Sequence, residues 1–175
     1  MENDIIDTFC NREYGQKENA MDFLERISKD LAEAMKSKEE GRELLVSVIR
    51  MIKAALKNAE IAKRGSGSGL TEEDIIGVLS TMVKQRKESA EEYAKANRKD
   101  LADKENQEIN IIMKYLPQQM TAEELDAVIT AAIQETGVRG PKEMGKLMKE
   151  LMPKVKGKAD GKLVSQRVKE LLDKM

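Results

Sequence analysis

From Asp22 onward, apolar residues recur at three- and four-residue spacing almost without interruption, and no stretch sustains the alternation of a strand. The pattern predicts an all-α chain. Phe23, Ile27, Leu31 and Met35 line one face of a first helix, with Asp22 as its cap. Gly41 marks the junction to a second, in which Leu44, Leu45, Val48, Ile49, Ile52, Leu56 and Ala59 form a wide stripe. That helix is expected to end at Gly65, with Lys63 and Arg64 at its negative end. Thr71, with Asp74 three residues on, reads as the capping box of a third helix that starts with Ile75, Ile76, Leu79, Met82 and Val83. Asn97 to Asp100 reads as a break, with Asp100 as the next N-cap. Leu101, Ile109, Ile111, Ile112 and Leu116 then carry a fourth helix to Pro117.

Pro117-Gln118-Gln119-Met120 is the expected domain boundary. Beyond it Thr121 and Glu124 form another capping box. Leu125, Val128, Ile129, Ala132 and Ile133 follow on a fifth helix that stops at Gly137. Gly140-Pro141 opens a short sixth helix that runs into Pro153. Its Met144, Leu147, Met148, Leu151 and Met152 are expected to face a small core. A last helix follows Asp160-Gly161 and places Leu163, Val164, Val168 and Leu171 at helical spacing. The expected organisation is a flexible extension over 1–20, an N-terminal helical domain over 21–117, and a three-helix domain over 118–175. Gly65 to Gly69 reads as a mobile surface loop, because it lacks the spacing and lysine of a phosphate-binding loop and follows no strand.

Composition narrows the chemistry. The 175 residues are 40% hydrophobic, enough for a core, and 36% charged, and eleven are methionines suited to filling one. There is no histidine, which removes the commonest general base and metal ligand. Cys10 is the single cysteine and lies in the acidic extension, so neither an internal disulfide nor a zinc site is expected. Ser47, Ser80 and Ser165 have no histidine partner, and no nucleophile elbow occurs. No cofactor, metal or catalytic residue is therefore expected. A membrane partner is not expected either, since no run of about 18 apolar residues exists. With no apolar leader at the acidic N-terminus, a reducing, cytoplasmic setting fits.

Charge singles out one region. The chain is −1 overall, yet Lys142 to Lys169 holds nine basic and three acidic residues. A polyanion is the partner such a block suits. Lys142, Lys146 and Lys149 are spaced by four and three and so share a helix face. Lys154, Lys156, Lys158 and Lys162 surround the turn before the last helix, and Arg167 follows on it. Within that turn Gly157, Asp160 and Gly161 read as structural: the glycines permit a tight connection and Asp160 caps the helix. Lys84, Arg86, Lys87, Arg98 and Lys99 extend a second basic surface, which the intervening Glu88, Glu91 and Glu92 make a mostly solvated, ion-paired one. With three Tyr, two Phe and no Trp, any RNA binding should follow backbone and shape.

Several segments in fixed order carry a resemblance. They are Val48-Ile49-Arg50 through Lys57-Asn58-Ala59-Glu60-Ile61, then Lys84-Gln85-Arg86-Lys87-Glu88-Ser89-Ala90. Arg98-Lys99-Asp100-Leu101-Ala102 with Glu105 and Tyr115-Leu116-Pro117 follow. Met144-Gly145-Lys146-Leu147-Met148-Lys149 and Gly157-Lys158-Ala159-Asp160-Gly161-Lys162 complete the series. Over roughly 21–174 the chain resembles the YqeY family, stand-alone relatives of the C-terminal tail of the GatB subunit of glutamyl/aspartyl-tRNA amidotransferase. The resemblance implies an all-α protein in two parts, the second a three-helix domain like that tail, which helps to hold tRNA while amidation occurs elsewhere. The expected function is a non-catalytic, tRNA-binding accessory to tRNA-dependent amidation, with tRNA, an amidotransferase or other translation-related proteins as partners. The alternative is a protein-interaction module that docks on a larger partner through Met and Leu faces. A third reading, an amidotransferase-like carbon–nitrogen ligase with glutamine as amido donor, lacks a visible catalytic constellation.

Overall fold

All regular structure is helical among the residues that the structure, a computed structural model, describes: 20–63, 69–138, 140 and 143–173. The expectations for the extension with Cys10, for Arg64 to Ser68, and for Pro141 and Lys142 lie outside the described residues. The helices are α1 (Ala20–Lys36), α2 (Arg42–Lys63), α3 (Glu72–Lys95), α4 (Lys99–Met113), α5 (Ala122–Thr136), α6 (Met144–Val155) and α7 (Gly161–Leu172). Their contacts divide into two compact units between Pro117 and Gln118.

In the first unit α1 packs on α2, and α2, α3 and α4 pack on one another. The buried face of α1 is Phe23, Ile27, Asp30 and Ala34. Met35, expected on that face, is 53% exposed. Steps of four residues drift by roughly 40° each around a 3.6-residue helix, so Met35 ends roughly 120° from Phe23. Helix α1 begins at Ala20, which corrects the cap: Asp22 lies in the first turn, where its charge meets the positive helix end. The stripe on α2 buries Leu45, Val48, Ile49, Ile52 and Leu56 as the spacing requires.

Thr71 and Asp74 form the expected capping box on α3, with both reciprocal hydrogen bonds present. Between α3 and α4, Asn97 takes the left-handed conformation at φ 57°, and the Arg98 N–H returns to the Tyr93 carbonyl at 2.9 Å. The N-cap of α4 is Arg98, not Asp100. Asp100 instead accepts two hydrogen bonds from the Arg98 guanidinium, at 3.0 and 2.8 Å. Helix α4 ends at Met113, short of Pro117. Turns then bury Tyr115 and Leu116, and the Tyr115 hydroxyl donates to the buried Asp30 at 3.1 Å.

The second unit is a three-helix bundle in which α5, α6 and α7 pack pairwise. Its core is Leu125, Ile129 and Ile133 from α5, Leu147, Leu151 and Val155 from α6, and Val164, Val168 and Leu172 from α7. Met152, expected at the core, and Leu163, placed at helical spacing on the last helix, are 40% and 46% exposed. Each sits next to a buried residue, Leu151 or Val164, and one residue is about 100° of helix rotation. Pro153 does not end α6, which continues to Val155. Its missing N–H leaves the carbonyl of Lys149 without an intrahelical donor, and both residues are on the exposed side, where water serves.

Candidate nucleic-acid interface

The turn between α6 and α7 is built by its own backbone. Gly157 has φ 76°, and the N–H groups of Lys158 and Ala159 both return to the Val155 carbonyl, at 3.0 and 3.1 Å. Asp160 then caps α7, its carboxylate accepting from the Lys162 N–H at 2.8 Å. From the segment before α5, Met120 N–H donates to the Lys158 carbonyl at 2.8 Å and the Gln119 amide to the Gly157 carbonyl at 2.6 Å. The turn is thus held from both sides, and its lysines project from a fixed frame.

The structure divides the basic residues into two groups. Lys146 donates to the Thr136 carbonyl at the end of α5, at 3.0 Å. Lys154 pairs with Glu135 at 2.5 Å. Arg167 donates from Nε to Asp126 at 2.9 Å, ion-pairs with the same carboxylate through its second terminal nitrogen, and reaches Glu170 at 2.8 Å. The hydrogen bond and charge of Asp126, ahead of Glu170, hold that guanidinium above its ordinary pKa. These three side chains tie helices together. Lys149, Lys156, Lys158 and Lys162 are exposed, and among the described residues no carboxylate lies within ion-pair distance of any of them.

The bases of the unit are more segregated than its acids: all eleven basic residues lie off α5, whereas five of the nine acids do too. Helix α5 carries Glu123, Glu124, Asp126 and Glu135 and no basic residue. From Met144 to Leu172 there are eight basic and three acidic residues. The exposed side of α6 presents Gly145, Lys149 and Met152, and the C-cap Lys156 continues them, at steps of four, three and four, away from the buried Leu147, Leu151 and Val155. Gly145 and Met152 were not among the sequence-expected contact residues. The signal for them was present, because both lie on the same face as Lys149 at helical spacing.

The second basic surface is smaller than expected. Arg86 is not on it: its guanidinium is 2.8 Å from Glu108, with each side chain only 12% exposed, and it also donates towards the Met51 sulfur. Arg98 is engaged by Asp100. Among the described residues no group of three or more His, Cys, Asp or Glu is placed to hold a metal ion, and no helix is long and apolar enough to cross a membrane.

The profile of the family described as Yqey-like protein matches residues 24–172. Curated relatives carry the name altered inheritance of mitochondria protein 41, mitochondrial. The one from Lachancea thermotolerans is 33% identical over 133 residues, 75% of this chain and 68% of the relative. That from Pyrenophora tritici-repentis is 28% identical over 152 residues, 85% of this chain and 80% of the relative. The Saccharomyces cerevisiae protein of strain YJM789 is 37% identical over 97 residues, 55% of this chain and half the length of the relative.

Proposed function

This chain belongs to the YqeY family, and on that premise we propose that it is a non-catalytic, tRNA-binding accessory to tRNA-dependent amidation. One observation carries the reading. Lys149 on α6 and Lys156, Lys158 and Lys162 around the turn that follows it have no carboxylate partners among the described residues, and none of the unit's basic residues lies on α5. Lysines left without internal partners are available to displace counterions from phosphates. A cytoplasmic, reducing setting suits the single cysteine; the fungal relatives are named as mitochondrial.

The test is a titration of tRNA against the purified protein between about 50 and about 200 mM salt. If all four lysines meet phosphates, log K falls against log salt with a slope near −3, at roughly 0.7–0.9 per contact. Lys149→Ala with Lys156→Ala flattens the slope by about 1.5. Binding that ignores salt, or none, overturns the reading. Glutaminase or ligase turnover by the chain alone overturns its non-catalytic part.

A further inference from the structure

We infer that RNA packs directly against the bare helix backbone at Gly145, making this glycine a contact residue of the interface. The inference rests on the RNA reading above and adds to it a place of closest approach.

A glycine inside a helix has three physical reasons to be there. The backbone needs a positive φ, a side chain has no room, or something outside the fold comes close to the main chain. Gly145 lies in the first turn of α6, and its φ is not in the left-handed region, unlike those of Gly41, Gly137 and Gly157. Among the described residues, a Cβ built on it meets nothing within 4 Å. Among the described residues the first two reasons therefore fail. Alanine would fit, and would stabilise the fold by restricting the unfolded chain. The third reason is an external neighbour.

What that neighbour is follows from the rest of the stripe. Lys149, Met152 and Lys156 follow Gly145 on the same face, and both lysines lack a carboxylate partner among the described residues. One large apolar side chain in the stripe, Met152 at 40% exposure, is too little to seat a helix in a lipid surface. Two lysines flanking it match a sugar–phosphate chain, whose charges recur and whose riboses offer apolar faces. Where that chain crosses Gly145, the missing side chain lets it reach the helix main chain.

The experiment uses the full chain and tRNA at fixed low salt, with Gly145→Ala, Gly145→Leu and, as a bulk control on α5, the exposed Ala131→Leu. Affinity is expected to fall a few-fold for Gly145→Ala and at least about tenfold for Gly145→Leu. The Gly145→Ala melting temperature holds or rises, and Ala131→Leu binds as the unaltered chain does. Stability and affinity then move in opposite directions, which a structural glycine does not produce. Unchanged affinity in both Gly145 variants, while Lys149→Ala with Lys156→Ala still flattens the salt slope, overturns the inference and leaves the RNA reading standing. No salt-dependent binding by the unaltered chain overturns both. If Gly145→Leu abolishes binding to phosphatidylserine vesicles and leaves tRNA affinity unmoved, the face belongs to a lipid surface and the inference is wrong.

Discussion

Arg86 and Glu108 lie 2.8 Å apart with each side chain 12% exposed. Removing one member of such a pair leaves the other's charge in a dry site, a cost of about 3–5 kcal/mol. Arg86→Met is therefore expected to lower the urea midpoint sharply, and Arg86→Met with Glu108→Leu to recover most of the loss. Equal loss in the single and double variants would show that the pair is not what holds this site. The position of Arg86 was legible in principle. Leu79, Met82, Val83 and Ala90 are the buried residues around it on α3, and Arg86 continues their three- and four-residue spacing. A charged residue on an apolar stripe reads as solvated only if its surroundings are left out. The same period separates Met152 and Leu163 from the core: each apolar residue is one step from a buried neighbour, and hydrophobicity alone does not say which of two adjacent residues points inward.

At the scale of elements, the helix starts with reciprocal side-chain caps were readable, because each cap is a local bargain between residues three apart. Thr71 with Asp74 and Thr121 with Glu124 both formed. The start of α4 was not, since it depends on Asn97 taking a left-handed turn that closes α3, and that geometry leaves Asp100 already inside the helix. The α3 box also ties to α2. Lys63, expected merely to neutralise the end of its own helix, ion-pairs with Asp74. Lys63 first, then the hydroxyl and N–H of Thr71, hold the Asp74 carboxyl well below the usual carboxylate range. The folded state thus binds fewer protons than the unfolded one as pH falls. The contribution is fully present above the unfolded pKa of about 4 and disappears as the pH drops through that value towards the lowered one. Asp74→Asn is expected to cost about 1 kcal/mol at neutral pH. Thermal melts at pH 7 and at about pH 3 should show the gap between variant and parent narrowing at the acid end. A gap that widens would mean the carboxylate does not stabilise α3 through its charge.

Across the whole molecule, charge and aromatic content are distributed unequally, and both bear on what the second unit recognises. From Gln118 to Met175 there is no Phe, Tyr or Trp. Base stacking on an aromatic side chain is worth about 1–3 kcal/mol per base and is the main way proteins hold unpaired strands. Among the described residues, the basic side of this unit offers RNA lysines, the exposed aliphatic side chains of Met152 and Leu163, and an open stretch of main chain at Gly145, and no aromatic ring. Those groups respond to the spacing of phosphates and the shape of a helical backbone, which a folded RNA presents in fixed positions. A floppy single strand must be ordered first, with no stacking to offset that loss of freedom. At equal salt and equal nucleotide concentration, oligouridylate of tRNA length is therefore expected to compete at least about tenfold more weakly than folded tRNA, the equivalent of one missing stacked base. The acidic α5 sharpens the difference, because strand that wraps past α6 and α7 meets Glu123, Glu124 and Glu135. Neutralising them as Glu123→Gln, Glu124→Gln and Glu135→Gln should raise oligouridylate affinity more than tRNA affinity in the same competition assay. Equal competition by the two RNAs in the parent chain would show that the unit reads charge density alone and that the fixed geometry of its lysines has no part in recognition.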